Sequence, residues 1–167
     1  MIMNLEMLRI RPLNKDDCVW VTRLLEEHWG STSMVTRGRM HKMDELPGFV
    51  AVHDDKAAGL ITYVIEDGEC EIISINSLVE RIGIGSALTD VVRGVAVEAR
   101  CRRIWLITTN DNTPALRFWQ KRGFSLVAVY RDAVEQSRKL KPEIPLAGKD
   151  GIPIRDEIEL ELILPKG

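Results

Sequence analysis

The stretch from Glu71 to Gly85 combines residue types that bind anions in many proteins. It has the pattern of a strand, a turn with Gly83 and Gly85, and the start of a long helix. Glycine lets a ligand approach the main chain without meeting a Cβ atom, and the first N–H groups of a helix lack internal partners at its positive end. The stretch therefore predicts an anion site, most often for a phosphate. A lone G-x-G is common, however, and a tight turn without a ligand is the simpler explanation of this fragment alone.

The elements around this turn predict an α/β chain. Three strands before the turn form an antiparallel meander in which Asp67–Gly68 is a hairpin signal. The strand after the long helix lies parallel to the strand before it, through a right-handed crossover. Alternating or apolar runs predict seven strands in all, at 7–13, 49–53, 58–65, 70–76, 104–108, 124–130 and 157–164.

Helical spacing and capping residues predict the remaining elements. A helix begins near Asn14 and ends at Trp29, the long helix follows the glycine turn, and a short helix runs from Ala115 to Arg122. A more polar helix is predicted on the surface over 34–46. Residues 131–155 have the least pattern and predict a long excursion, helical near 132–140. A loop of that length is usually functional or mobile.

Composition excludes several classes of protein. The chain has 167 residues and a formal net charge of -2, so neither nucleic acid nor an anionic membrane is favoured as a partner. Its three cysteines are far apart, which argues against a disulfide framework and favours a reducing compartment, the cytoplasm. Its three histidines lie on separate predicted elements without metal spacing, so no metal site is expected.

Two motifs at this separation are typical of one family. Glu80–Gly85 (ERIGIG) falls on a pattern of Arg or Gln, two residues, Gly, one residue, and Gly or Ala. The second pattern falls on Asn112, Ala115, Phe118, Trp119, Gly123 and Phe124. With the order of elements, these motifs resemble the GNAT superfamily of acyl-CoA-dependent N-acetyltransferases over a single domain, 1–167. The resemblance implies an α/β fold with a mixed, mostly antiparallel twisted sheet of about seven strands, flanked by helices.

The resemblance also implies where acetyl-CoA, the co-substrate, is bound. The pantetheine arm lies along a strand and pairs with its main chain, and the pyrophosphate sits on the N–H groups of the glycine turn. A main-chain N–H near Ile75 or Asn76 then stabilises the developing oxyanion. The expected cofactor-binding residues are Ile73, Ile75, Arg81, Ile82, Gly83, Ile84, Gly85, Ser86, Asn112 and Trp119. Asn112 has a helix N-cap as its alternative role.

Two positions depart from the family pattern. Glu80 stands where the family has Arg or Gln, so the neighbouring Arg81 or the main chain must supply the attraction for phosphate. Trp119 stands where many members have a tyrosine that protonates the leaving thiolate. An indole N–H donates a hydrogen bond but is not a usable acid.

An attacking amine must lose a proton, so a base is expected. Glu71 is the first choice, because family members often have a glutamate there; Glu69 and Asp111 are the alternatives. A solvated strand residue explains Glu71 equally well. Tyr130 is the candidate to replace the missing tyrosine, although an ordinary core or surface aromatic is the more frequent role for such a residue.

The sequence thus predicts an enzyme that moves an acetyl group from acetyl-CoA to a primary amine of a small molecule or peptide. The rival hypothesis is an acyl-CoA-binding sensor or partner module with little or no transferase activity. Members of the family often pair through their C-terminal strands, so a homodimer is the assembly that the resemblance suggests.

Overall fold

The fold is described from a computed structural model, over residues 7–166. The predicted single domain, 1–167, therefore includes six N-terminal residues and Gly167 that lie outside the described range. The strands are β1 (Leu8–Pro12), β2 (Ser33–Thr36), β3 (Arg39–Lys42), β4 (Gly48–His53), β5 (Lys56–Glu66), β6 (Glu69–Ser77), β7 (Arg103–Thr109), β8 (Ser125–Tyr130) and β9 (Glu157–Ile163). The helices are α1 (Cys18–Trp29), α2 (Ile84–Glu98), α3 (Thr113–Lys121) and α4 (Ala133–Leu140).

Seven strands form one mixed sheet in the order β1-β4-β5-β6-β7-β9-β8. Each pair of neighbours is antiparallel except β6 and β7, which are parallel and joined through α2. Asp67 and Gly68, which connect β5 to β6, both have positive φ, as a two-residue hairpin turn requires. The sheet and its flanking helices confirm the predicted fold class.

Strands β6 and β7 pair along their first halves and then separate. The pairing runs from Glu69 opposite Arg103 to Ile72 opposite Leu106. Each strand continues beyond that point, to Ser77 and to Thr109. A gap therefore opens in the middle of the sheet, at the end of β6 that leads to the glycine turn.

A β-bulge in β6 lies where this gap begins. Opposite β5, Tyr63 pairs with Ile72 and Thr62 pairs with Ser74, so Ile73 is an extra residue. An extra residue shifts the alternation of side chains along a strand. Ile72 packs in the core beneath α2, whereas Asn76, beyond the bulge, accepts a hydrogen bond from the Trp29 indole of α1 at 3.0 Å.

Helices cover the two faces of the sheet with separate apolar cores. One face packs against α2 and α3, around Leu88, Val92 and Trp119. The other face packs against α1, through Leu24 and Leu25. Among residues 7–166, no helix is both long and apolar enough to cross a lipid bilayer.

The helix predicted over 34–46 is wrong, because this segment forms the β2–β3 hairpin and a short 3-10 turn. Arg37 and Gly38 connect the two strands and have φ values of 48° and 74°. Two consecutive positive φ angles form the turn type that suits a two-residue hairpin. A buried tertiary contact also favours the strands, since His41 is 4% exposed and its ring is paired with Thr36 across the hairpin.

The excursion over 131–155 begins with α4, as predicted near 132–140. Its second half is irregular and is held in place by hydrogen bonds within the excursion. Arg138 donates to the carbonyl oxygens of Pro145 and Ile154, and Ala147 forms an isolated bridge with Pro153. The excursion thereby covers the gap between β6 and β7.

Candidate active site

A cavity of about 360 Å³ lies where β6 and β7 separate. Ile73 of β6 and Ile107 of β7 form its floor, and Trp29, at the end of α1, lines one side. The opposite side comes from the excursion after Tyr130, including Ile144 and Pro145. The lining also includes Thr36, Ser137, Lys141 and Glu157.

The glycine turn lies beyond the open end of this gap. Gly83 has φ +78° and is the N-cap of α2, and a Cβ atom built there has no atom within 4 Å. Arg81, two residues earlier, has φ 65° and is exposed. The main chain from Ile82 to Ser86 thus forms the start of a long helix beside open space, which suits an anion.

Gly85 has a packing role that the sequence did not suggest, and its contact with a cofactor stays a prediction. A Cβ atom at Gly85 would lie 2.8 Å from the Phe118 ring of α3. Glycine is therefore required there for the close packing of α2 on α3. Glycine is thus required at position 85 by close packing and favoured at position 83 by the left-handed backbone.

Arg122 is a cation beside the glycine turn that sequence reasoning missed. Its guanidinium donates to Ser86 Oγ, with Nε at 3.0 Å, and lies 3.5 Å from the centre of the Phe118 ring. A second, open cavity of about 790 Å³ adjoins this turn, and its lining includes Arg81, Arg117, Lys121 and Arg122. The signal available in the sequence was the recurrence of basic residues along the short helix, at Arg117, Lys121 and Arg122.

The second motif contributes mainly structure. Asn112 lines the cavity and caps α3, because its Oδ1 accepts the Ala115 N–H at 3.2 Å. Trp119 is 3% exposed and packs edge-on against Phe118 and Phe124 in the core. This packing accounts for Trp119 without a ligand, and its contact with a cofactor stays a prediction.

Glu71 lies at the vertex of the gap, on a buried hydrogen-bonded chain. Its Oε1 accepts the Thr36 hydroxyl at 2.7 Å, and Thr36 Oγ1 is 2.9 Å from His41 Nε2. Because the single hydroxyl hydrogen of Thr36 is donated to Glu71, His41 Nε2–H is the donor in the second bond. Thr36 lines the main cavity, whereas Glu71 lines a smaller cavity of about 240 Å³ behind it.

Burial shifts the pKa values of Glu71 and His41 in the directions that favour their neutral forms. Desolvation raises the pKa of Glu71 from 4.5 to about 7, against the smaller opposing effect of the Thr36 hydrogen bond. Desolvation also lowers the pKa of His41 below its ordinary 6.5. A carboxyl group with a pKa near 7 exchanges its proton at neutral pH, as a general base requires.

The two alternative bases, Glu69 and Asp111, have other hydrogen-bond partners. Glu69 forms ion pairs with Arg102 and Arg103, whose hydrogen bonds hold its pKa below the ordinary range. Asp111 accepts the Thr109 hydroxyl and lies against the main chain of Gly148. Thr109 also lines the main cavity, so Asp111 and Glu71 each contact a lining residue. Of the three predicted candidates, Glu71 is the one that is buried, at 7% exposed.

Tyr130 does not reach the cavity. Its hydroxyl donates to Glu159 Oε1 at 2.9 Å, and its ring lies under the Arg37 guanidinium at 3.4 Å. Burial and the adjacent Glu159 carboxylate raise the pKa of Tyr130. These contacts make Tyr130 part of a structural network, so its role as an acid gains no support. Within residues 7–166, no three His, Cys, Asp or Glu side chains are grouped to hold a metal ion.

Comparisons with known proteins agree with this architecture. A relative in Bacillus subtilis (strain 168), the uncharacterized protein YdhI, is 46% identical over 153 residues, which cover 91% of this chain and 96% of YdhI. A Bacillus subtilis acetyltransferase solved with CoA has a TM-score of 0.67 at 20% identity and covers 95% of this chain and 99% of its own. A GNAT family acetyltransferase from Elizabethkingia anophelis with acetyl-CoA bound has a TM-score of 0.68 at 18% identity, with coverage of 95% and 99%.

The family itself is shown by a match to most of the chain. The model of the acetyltransferase (GNAT) family matches residues 10–124, which span β1 to α3 and include the gap between β6 and β7, the glycine turn and Glu71. The chain belongs to the GNAT family of acetyltransferases.

Proposed function

We propose that this protein transfers an acetyl group from acetyl-CoA to a primary amine by direct attack. One observation carries the proposal. The gap between β6 and β7 lies between the glycine turn, which suits a phosphate, and a cavity lined by Thr36, which is hydrogen-bonded to the buried Glu71. The family membership and the CoA-bound structural neighbours support acetyl-CoA as the donor.

The residues present fit the parts of acetyl-CoA. Main-chain N–H groups at Ile82–Ser86 would receive the pyrophosphate, with Arg122 and Arg81 as nearby cations. The unpaired edge of β6, from Ile73 to Ser77, offers main-chain groups to the amide-containing arm. Acetyl-CoA supplies an activated acyl carbon and a leaving thiolate.

Glu71 is the base in this proposal. The amine donates a hydrogen bond to Thr36 Oγ1 as it attacks, and the Thr36 hydroxyl passes its own proton to Glu71. The nitrogen–carbon bond forms, the carbon–sulfur bond breaks, and the thiolate leaves. A free thiol has a pKa of about 8.5, so the thiolate is a tolerable leaving group without an enzymic acid.

A coenzyme A release assay tests the function. The purified protein is given acetyl-CoA and a panel of amino acids, polyamines, aminoglycosides and peptide N-termini, and free thiol is measured. We expect turnover with at least one class, and a fall of about 10²-fold or more in kcat for Glu71→Gln. Glu98→Gln, an exposed position at the end of α2, is the matched control. Tight acetyl-CoA binding without turnover on any amine would favour the sensor module instead.

A further inference from the structure

We propose that the acceptor amine also carries a carboxylate, and that Lys141 is the residue that binds it. This inference rests on the proposed function, because it names the chemical class of the acceptor. It identifies the substrate as an amino acid with an apolar side chain.

Lys141 is a buried cation in the wall of the main cavity. It is 6% exposed, although it directly follows the last residue of α4. Val134, Ser137 and Lys141 recur at i, i+3 and i+7, so one face of this segment is turned to the cavity, and all three line it. Lysine is among the residue types least often buried without a counter-ion.

The bonds of the Lys141 ammonium leave one hydrogen available. Nζ donates to the carbonyl oxygens of Trp29 at 3.0 Å and of Ser33 at 2.8 Å, and an ammonium group carries three N–H donors. Across residues 7–166, no carboxylate pairs with Nζ within 4.0 Å. Desolvation correspondingly lowers the pKa of Lys141.

A purely structural role explains part of this arrangement. Trp29 is the last residue of α1, and a cation at the C-terminal end of a helix stabilises its carbonyl groups. That role uses two N–H donors and leaves the ammonium without a carboxylate in contact, although Glu143, which lines the same cavity, attracts it from beyond 4.0 Å. A carboxylate from a ligand would compensate the ammonium charge and take the third hydrogen.

The rest of the cavity fits the remaining parts of an amino acid. Ile107, Ile144 and Pro145 provide apolar contacts for a side chain. The buried Glu157 carboxylate accepts the Ser137 hydroxyl at 2.9 Å and the Arg37 N–H at 3.0 Å, and lies beside the Thr36 end. An ammonium group is therefore attracted toward Thr36 and Glu157, while a carboxylate is attracted to Lys141.

The test compares apolar L-amino acids with their carboxamides, which keep the amine and lose the negative charge. In the wild-type protein we expect a KM about tenfold or more higher for the amide than for the acid. In Lys141→Met this ratio should fall to about one, because the acid loses its partner. Lys141→Arg, which keeps the cation, should retain part of the preference.

Lys139→Met is the matched control, since Lys139 is an exposed lysine in α4 and is expected to keep the full acid preference. Thermal melts show whether Lys141→Met is folded. Calorimetric binding of acid and amide in the presence of CoA gives a readout without turnover. Equal KM or equal affinity for the acid and the amide in the wild type would overturn the inference. Turnover of amines without acid preference would overturn it while leaving the proposed function intact.

Discussion

At the scale of residues, the environment of Glu71 gives it its chemistry. A glutamate side chain that is exposed to water has an ordinary carboxyl pKa. Here the β2–β3 hairpin covers it, leaves it 7% exposed and provides Thr36 as a hydrogen-bond donor. The cost of burying its charge raises its pKa. For this reason, both the rate of transfer and the stability of the fold should change with pH through this side chain.

The rate of transfer should rise as Glu71 ionises. Its pKa is about 7, so kcat/KM should increase as the pH rises through 7 in the wild type. The inflection near pH 7 should be absent in Glu71→Gln, in which no carboxyl group titrates at this site, and only the rise caused by ionisation of the amine itself should remain. Initial rates between pH 5.5 and 8.5 at limiting amine check it. An unchanged pH profile in the variant would show that another group is the base.

Stability should depend on Glu71 in the opposite sense. The folded protein binds this proton more tightly than the unfolded chain, with pKa values of about 7 and 4.5. Below pH 4.5 both states are protonated. As the pH rises from 4.5 to 7, the unfolded chain ionises first and the protein loses up to about 3 kcal/mol of unfolding free energy.

Urea unfolding of Glu71→Gln measures this loss. The variant lacks the buried charge, so its unfolding free energy relative to wild type should increase between pH 4.5 and pH 8. Glu98→Gln, at an exposed site, should show no such trend. A constant difference between Glu71→Gln and wild type across this range would contradict the assigned cause.

At the scale of elements, the glycine turn shows what a sequence pattern can and cannot define. The pattern located the start of α2 correctly in the chain, because left-handed backbone and a helix N-terminus are local properties. The anion site at this turn stays a prediction. The pattern did not distinguish Gly83 from Gly85. The reason for Gly85 is the Phe118 ring, 33 residues away in sequence, and contacts of that kind have no local signal.

Replacing Gly83 by alanine should weaken acetyl-CoA binding. Its φ of +78° disfavours a side chain by about 1 kcal/mol, and relaxation would move the N–H groups of the turn. We expect a several-fold rise in the KM for acetyl-CoA and a lower melting temperature. Gly94→Ala, in an open position of α2, is the control, and should raise stability by about 1 kcal/mol with no change in KM. Equal KM values for the two variants would argue against this turn as the cofactor site.

The error at β2–β3 has a similar origin. Residues 34–46 are polar and contain good helix formers, which favoured a helix at the level of local propensity. The Arg37–Gly38 turn and the buried His41–Thr36 pair favour strands over a helix. That pair is completed by a hydrogen bond from Thr36 to Glu71 on β6, which lies far away in sequence. The candidate base was therefore predictable from its position, whereas its hydrogen-bond partner Thr36, and His41 bonded in turn to Thr36, were not.

At the scale of the whole molecule, the sheet ends in an apolar edge. Strand β8 is the outermost strand, and Leu126, Val127 and Val129 are 55%, 45% and 59% exposed. Ile163 on the adjacent β9 is 65% exposed. An edge strand with exposed apolar side chains offers unpaired main-chain groups and apolar area together, which suits pairing with a second copy.

We therefore expect a homodimer that pairs through β8. Size-exclusion chromatography with light scattering should give twice the chain mass of 18.9 kDa, and Leu126→Lys with Val129→Lys should give a monomer. Val19→Lys, at a residue 73% exposed on α1, is the control and should remain dimeric. A wild-type protein that stays monomeric at high micromolar concentration would exclude this assembly.

The extra residue at Ile73 has a consequence for how this strand tolerates insertions and deletions. Because of this extra residue, Glu71 before it and Asn76 after it lie on the same face of the sheet, although they are an odd number of positions apart. Glu71 contacts Thr36 of the β2–β3 hairpin, and Asn76 contacts Trp29 of α1. Deleting one residue here would keep the strand's length nearly unchanged and turn Asn76 away from Trp29. A change of chain length at this site would thus turn the half of β6 that carries Glu71 relative to the half that leads to the glycine turn, while point substitutions would leave both halves in place.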